Sequence, residues 1–83
     1  MGSFKLARLS SILAMLEDCA PGHTVKAQTH NYCVRYQGRT YPALPKGKHG
    51  AKDPEIQMGH VRQMIRQLKL DGDCVERHFP DLG

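Results

Sequence analysis

The feature that most constrains the fold is a stretch of alternating residues that turns back on itself at a glycine. Three apolar or aromatic residues fall at every second position, the side-chain period of a β-strand: Tyr32, Val34 and Tyr36. Gly38 follows and suits a tight hairpin turn. Residues 39–44 then return as another strand, in which Pro42 cannot donate to a sheet ladder. The stretch predicts a β-hairpin whose returning strand is an edge strand or ends near Tyr41.

Helical periodicity flanks this hairpin on both sides. Apolar residues recur every three or four positions over residues 3–16, which predicts a helix near 4–17. A second apolar stripe consists of Val61, Met64, Ile65 and Leu68. This second helix starts at either Asp53-Pro54 or Met58-Gly59, ends near Leu70 and is closed by Asp71-Gly72.

The order of these elements predicts a small α+β sandwich of the type α-β-β-β-α. Its strands, near residues 24–28, 32–37 and 39–44, form an antiparallel three-stranded sheet with both helices on one face. At 83 residues the chain is expected to be a single domain, with a core over about 3–70. The tail, residues 71–83, is expected to add one short helix. No apolar run approaches the ~20 residues of a membrane span, and no export signal is evident, so we expect no membrane association.

The charge distribution points to an anionic partner. The net charge is +4, and between Cys19 and Asp53 the only acid is Asp53 itself. The cations of this stretch are Lys26, Arg35, Arg39, Lys46, Lys48 and Lys52. Such a span favours RNA or an acidic protein as the partner, although a merely solvated surface is the common alternative. The tyrosines at 32, 36 and 41 either stack on unpaired bases or pack in the core, and we favour packing for at least one.

The cysteines and carboxylates limit the chemistry. Three cysteines, Cys19, Cys33 and Cys74, are too few and too irregularly spaced for a disulfide framework and fit a reducing cytoplasm. A structural zinc site is not expected, because no two close ligand pairs answer each other. The chain shows no cofactor motif and no clustered carboxylates for two-metal hydrolysis. Histidine with lysine is the chemistry that remains, with His30 and His49 lying in the basic stretch and no role assigned to the histidines at 23, 60 and 78.

Several of these motifs together resemble the HicA family of bacterial toxins. They are a strand that leads to a histidine, the hairpin at Gly38, a Pro-x-x-x-His-Gly loop over residues 45–50, and a helix opening at Gly59. The likeness covers about residues 3–70 and is strongest over 39–70. In the family, Gly-Ser precedes the histidine, whereas here Gln28-Thr29 does. Threonine keeps the hydroxyl, but Gln28 prevents the close backbone approach that glycine allows.

The resemblance implies a double-stranded-RNA-binding-domain-like fold and a cytoplasmic messenger-RNA interferase. His30 matches the family's catalytic histidine, with His49 as a second candidate. Imidazole titrates near neutral pH and can act as the base or acid of metal-independent backbone cleavage. The family also implies an acidic, HicB-like antitoxin as partner. The alternative is a non-catalytic module of the same fold that binds RNA or an acidic protein.

Overall fold

The computed structural model describes residues 5–47 and 50–80. The elements, in chain order, are β1 (Leu6–Arg8), α1 (Leu9–Cys19), β2 (Thr24–Ala27), β3 (Asn31–Tyr36), β4 (Arg39–Pro45), β5 (Glu55–Gln57), α2 (Met58–Leu68) and α3 (Gly72–His78). The predicted α-β-β-β-α arrangement is confirmed. To it the structure adds a two-stranded ribbon, formed by β1 and β5, and the short helix expected in the tail is present as α3.

The three-stranded sheet is antiparallel with the order β2-β3-β4. Gln37 and Gly38 form the turn between β3 and β4, both with positive φ (49° and 78°), which matches the twist of a two-residue hairpin. β4 is an edge strand, as Pro42 predicted, and it continues to Pro45. The pairing shifts by one residue beside Pro42, where the ladder is interrupted by a bulge.

The core lies between one face of this sheet and the helices. Its fully buried members are Ile12, Met15, Leu16, Val34, Leu44, Ile56, Val61, Met64 and Leu68. Tyr41 is also buried, and Tyr32 and Tyr36 are half-buried against the same cluster. Lys26 and Arg35 alternate with core-facing neighbours along their strands, so they project from the opposite, open face.

The first helix starts later than the periodicity predicts. Residues 6–8 are extended rather than helical, and residue 4 lies outside the described range. β1 pairs with β5 so that the buried residues Ala7 and Ile56 are partners. Leu6 fits the helical spacing but is exposed. The reason is a backbone pairing to a segment about fifty residues away, which local periodicity does not reveal.

The second helix begins at the later of its two predicted starts, Met58, because β5 occupies residues 55–57. The helix ends at Leu68, two residues before the predicted end near Leu70. Lys69 adopts the left-handed conformation (φ 54°), and the Leu70 N–H donates to the Ile65 carbonyl, which ends the helix. Gly72 was expected to close α2, but instead it is the first residue of α3.

The expectation about the cysteines is wrong for one pair. Cys19, at the end of α1, and Cys74, in α3, are joined as a disulfide, while Cys33 is free. The pairing was not foreseen because it requires α3, with Cys74 and Val75 buried in it and Phe79 buried directly after it, to pack against α1. No helix in the ranges 5–47 and 50–80 combines the length and apolar character needed to cross a membrane.

Candidate nucleic-acid interface

His30 lies at the tip of the turn that joins β2 to β3. The Gln28 N–H donates to the Asn31 carbonyl at 2.8 Å and closes this turn, so that Thr29 and His30 project from it. His30 is exposed and immediately precedes the first residue of β3. The turn therefore presents the imidazole to solvent at one end of the sheet.

The His30 side chain borders an open pocket of about 310 Å³, which we call the basic pocket. Its described lining residues are Leu9, Thr29, His30, Tyr32, Lys46, Gly47, Gly50, Ala51, Lys52 and Pro54. Residues far apart in the chain meet here because β4 runs antiparallel to β3 and returns to the level of the His30 turn. The lining carries one imidazole and two ammonium groups, and no carboxylate belongs to its described residues.

Two contacts hold the wall of the basic pocket that residues 46 and 47 form. The Lys46 ammonium lies 5.5 Å from the centroid of the Tyr32 ring, within the range of a cation–π contact. Gly47 has a φ of +78° and packs so closely on Pro54 that a Cβ there would overlap the proline ring. A side chain at this position would also come within 3.2 Å of Ile56 Cδ1. The wall therefore depends on a glycine at 47.

The one acid of the basic stretch is engaged elsewhere. The Asp53 carboxylate accepts from the Ser10 N–H at 2.9 Å and from the Ser10 hydroxyl at 2.7 Å. These bonds, from the Ser10 hydroxyl first, and the nearby Arg8 charge lower the pKa of Asp53. Asp53 therefore caps the first turn of α1. It does not begin the second helix, which was one of the two starts that the sequence suggested.

The predicted phosphate-binding residues that the structure describes lie in three separate places. Lys46 and Lys52 line the basic pocket together with His30. Lys26 and Arg35 lie on the open face of the sheet as diagonal neighbours across β2 and β3. Arg39 is exposed at the hairpin end of β4, opposite Tyr36. The two remaining candidates, Lys48 and His49, lie outside the described residues.

The tyrosines pack mainly as core residues. Tyr41 is buried, its hydroxyl donates to Gln63 Oε1 at 3.3 Å, and burial raises its pKa. Tyr32 combines core packing with a place in the pocket lining, so one ring serves both purposes. The sequence makes Tyr32 a candidate for base stacking or core packing, but it does not reveal that Tyr32 and Gly47 line one pocket. A glycine between two lysines was the available signal, because glycine permits positive φ and close backbone approach.

The remaining histidines near the described helices have different surroundings. His23 Nδ1 lies 2.9 Å from the Ala20 carbonyl and ties down the segment after α1. His78 Nε2 lies 2.9 Å from Asp18 Oδ2, at the far end of α1 from the basic pocket. Neither of these, nor His60 on α2, belongs to the described lining, so His30 is the one imidazole among the described residues of the pocket.

The arrangement has the chemistry of an anion site with a titratable group at its edge. Two ammonium groups attract a phosphate, and an exposed imidazole can exchange a proton with a bound ligand. Comparison with family models, curated proteins and solved structures finds no match to this chain.

Proposed function

We propose that this chain binds RNA at the basic pocket and cleaves the backbone with His30. The observation that carries the proposal is the meeting of His30 with Lys46 and Lys52 in a pocket whose described lining has no carboxylate. The resemblance to HicA toxins agrees with this location, since His30 is the position that matches the catalytic histidine. On this proposal the chain is a cytoplasmic messenger-RNA interferase.

In the proposed reaction the neighbouring 2′-hydroxyl of the RNA attacks phosphorus. The 2′-oxygen forms a bond to phosphorus, and the bond between phosphorus and the 5′-oxygen breaks. His30 takes the proton of the 2′-hydroxyl while water protonates the departing 5′-oxygen, or His30 supplies that second proton while water takes the first. Lys46 and Lys52 stabilise the negative charge that builds on the phosphate oxygens. Metal-dependent hydrolysis is disfavoured because the described pocket lining lacks the carboxylates that usually hold the ions.

The test is RNA cleavage in EDTA by the full chain and by His30→Ala. General acid–base catalysis contributes about 10²–10⁴-fold, so the variant should lose at least about a hundredfold in rate. The matched control is His60→Ala, because His60 lies on α2 and is absent from the pocket lining. Cleavage that requires a divalent ion, or that is unchanged in His30→Ala, would refute the mechanism.

Binding is measured separately from cleavage, by titrating a single-stranded RNA at several salt concentrations. The double variant Lys46→Ala/Lys52→Ala should reduce the slope of log affinity against log salt by about 1.4, if each lysine neutralises one phosphate. Arg77→Ala, an exposed cation on α3, should leave the slope unchanged. An identical slope in the double variant would show that RNA does not lie in the basic pocket.

One observation favours a second candidate, a non-catalytic binding module. Within the described residues no group hydrogen-bonds the His30 ring, whereas a general base is commonly oriented by a third group. This candidate predicts salt-dependent RNA binding without cleavage and the same affinity in His30→Ala. Absence of cleavage by the wild-type chain, with binding intact, would favour the module over the enzyme.

The proposed protein partner is an acidic, HicB-like antitoxin that covers the same basic surface. A carboxylate-rich protein suits the two pocket lysines and would compete with RNA for them. The neighbouring open reading frame should encode a short acidic protein that suppresses growth arrest when both are expressed. Its complex should dissociate in high salt and weaken in the Lys46→Ala/Lys52→Ala variant.

A further inference from the structure

A second cluster of reactive side chains lies where the end of α1 meets α3. Cys19 and Cys74 are bonded there, and His78 Nε2 lies 2.9 Å from Asp18 Oδ2. Cys74 Sγ lies 3.6 Å from the same carboxylate oxygen. The ligand atoms of Asp18, Cys19 and His78 all lie within 4.8 Å of one another. We call these four residues the thiol cluster.

The helices place the thiol cluster by simple spacing. Cys74 and His78 are four residues apart on α3, so they share one face of that helix. Asp18 and Cys19 are consecutive at the end of α1, the element against which α3 packs. The two cysteines are buried, whereas the His78 and Asp18 side chains are 27% and 56% exposed. The cluster is thus closed on its sulfur side and open to solvent on the other.

The donor atoms around this disulfide are of the types that bind a metal ion when the cysteines are reduced. A disulfide sulfur carries no hydrogen, so Cys74 cannot donate to the Asp18 oxygen beside it in the bonded form. Reduction gives two thiols next to an imidazole and a carboxylate, which are the ligand types that zinc accepts. With Zn–S near about 2.3 Å and Zn–N or Zn–O near about 2.1 Å, tetrahedral ligand atoms lie roughly 3.4–3.8 Å apart. The Cys74–Asp18 and His78–Asp18 distances of 3.6 Å and 2.9 Å are close to this spacing, and the two sulfurs move apart once the S–S bond is broken.

We propose that the reduced thiol cluster binds one Zn²⁺ through Cys19, Cys74, His78 and Asp18, and that a low-molecular-weight disulfide, which accepts two electrons and becomes two thiols, oxidises the cysteines to their disulfide and releases the ion. Two equivalents of a low-molecular-weight thiol supply two electrons and two protons, which break the S–S bond and leave that thiol as its own disulfide. Each cysteine then loses its proton as its sulfur binds the ion. Leu9 lines the basic pocket, and the thiol cluster lies about 15 Å further along α1. The proposed metal site therefore does not depend on the proposed RNA chemistry.

The test uses the full chain reduced with a phosphine, with Co²⁺ as an absorbing substitute for Zn²⁺. The reduced protein should bind one Co²⁺, with thiolate-to-metal charge-transfer and tetrahedral ligand-field bands, and Zn²⁺ should displace it. The oxidised protein should bind none. Cys74→Ser should remove most of the charge-transfer intensity, and His78→Ala should weaken binding at least tenfold. Cys33→Ser is the matched control, because this free cysteine lies on the sheet and should not affect binding.

Folding is checked in each variant by circular dichroism, and Asp18→Asn provides a conservative change at an exposed ligand. This variant should retain its fold and bind Co²⁺ more weakly than wild type. The proposal is overturned if reduced wild-type protein shows no thiolate charge transfer with Co²⁺. It is equally overturned if the bands persist in folded Cys74→Ser and vanish in Cys33→Ser.

Discussion

Gly47→Ala isolates the close packing that forms one wall of the basic pocket. Gly47 and Gly50 both have positive φ, +78° and +83°, so alanine at either position is strained by about 1–2 kcal/mol. Only at Gly47 does a methyl group meet other atoms, with Pro54 Cγ at 3.0 Å and Ile56 Cδ1 at 3.2 Å. The proline ring is rigid and both partners are buried, so neither yields easily. Overpacking of this kind adds about 1–3 kcal/mol.

The prediction is therefore a difference between two alanine variants rather than a single value. Gly50→Ala has nothing within 4 Å of the added methyl group, so it should be destabilised only by the backbone strain of alanine at positive φ. Gly47→Ala should be less stable than Gly50→Ala by about 1–3 kcal/mol. For a urea m-value near about 1 kcal/mol per molar, the midpoints should differ by roughly 1–3 M. Equilibrium unfolding followed by circular dichroism measures this difference.

One result would contradict the reasoning, and the m-value shows whether the comparison is valid. Equal midpoints for the two variants would show that Gly47 does not pack against Pro54 as described. A changed m-value in Gly47→Ala would show that the compactness of the native or unfolded state has altered, so that the midpoints are no longer comparable.

Three further predictions concern stability. Asp53→Asn should destabilise the protein at pH values above the ordinary carboxyl pKa near 3.8, and the difference in stability from wild type should vanish as the pH falls through the lowered pKa of Asp53. Urea unfolding at a series of pH values measures this difference, with Glu17→Gln as the control. Reduction of the Cys19–Cys74 bond in EDTA should cost about 4 kcal/mol, since it links residues 55 positions apart, and added Zn²⁺ should restore part of this. Met64→Ala should cost about 2–5 kcal/mol by opening a core cavity, as thermal or urea unfolding will show.

The parts of the fold that could be predicted are those with a local signature. The alternation at β3 and the glycine of its turn identify the hairpin, and the apolar stripe identifies α2. β1 and β5 have three residues each and pair across about fifty positions, so neither shows a pattern of its own. Leu6 even continues the helical spacing of α1, although the strand pairing prevails. The disulfide was missed for the same reason, because it depends on how α3 docks.

The candidate site was predictable in its residue types but not in its grouping. The register of β3 and β4 pairs Asn31 with Pro45, which brings their neighbours His30 and Lys46 together. Lys52, from the segment before β5, lines the same pocket. Lys26 and Arg35 belong to the same acid-free stretch, yet strand alternation directs them to the open face of the sheet. A net charge indicates only the sign of the charge that a partner would carry. The alternation of side chains along each strand determines which cations can contact the same ligand. Similarly, Cys74 and His78 show helical i, i+4 spacing in the sequence, but the other two members of the thiol cluster come from α1.

The position of Asp53 links the fold to the charge of the basic pocket. In the sequence this carboxylate follows Lys52 directly and is the nearest candidate to neutralise the basic stretch. In the structure it turns to Ser10 and satisfies donors in the first turn of α1. Those bonds favour the charged form and lower the pKa of Asp53, and this residue is absent from the described pocket lining. The contact that begins α1 thus also engages this carboxylate outside the basic pocket, so the hydrogen bonds that stabilise the helix start accompany a described pocket lining without carboxylates.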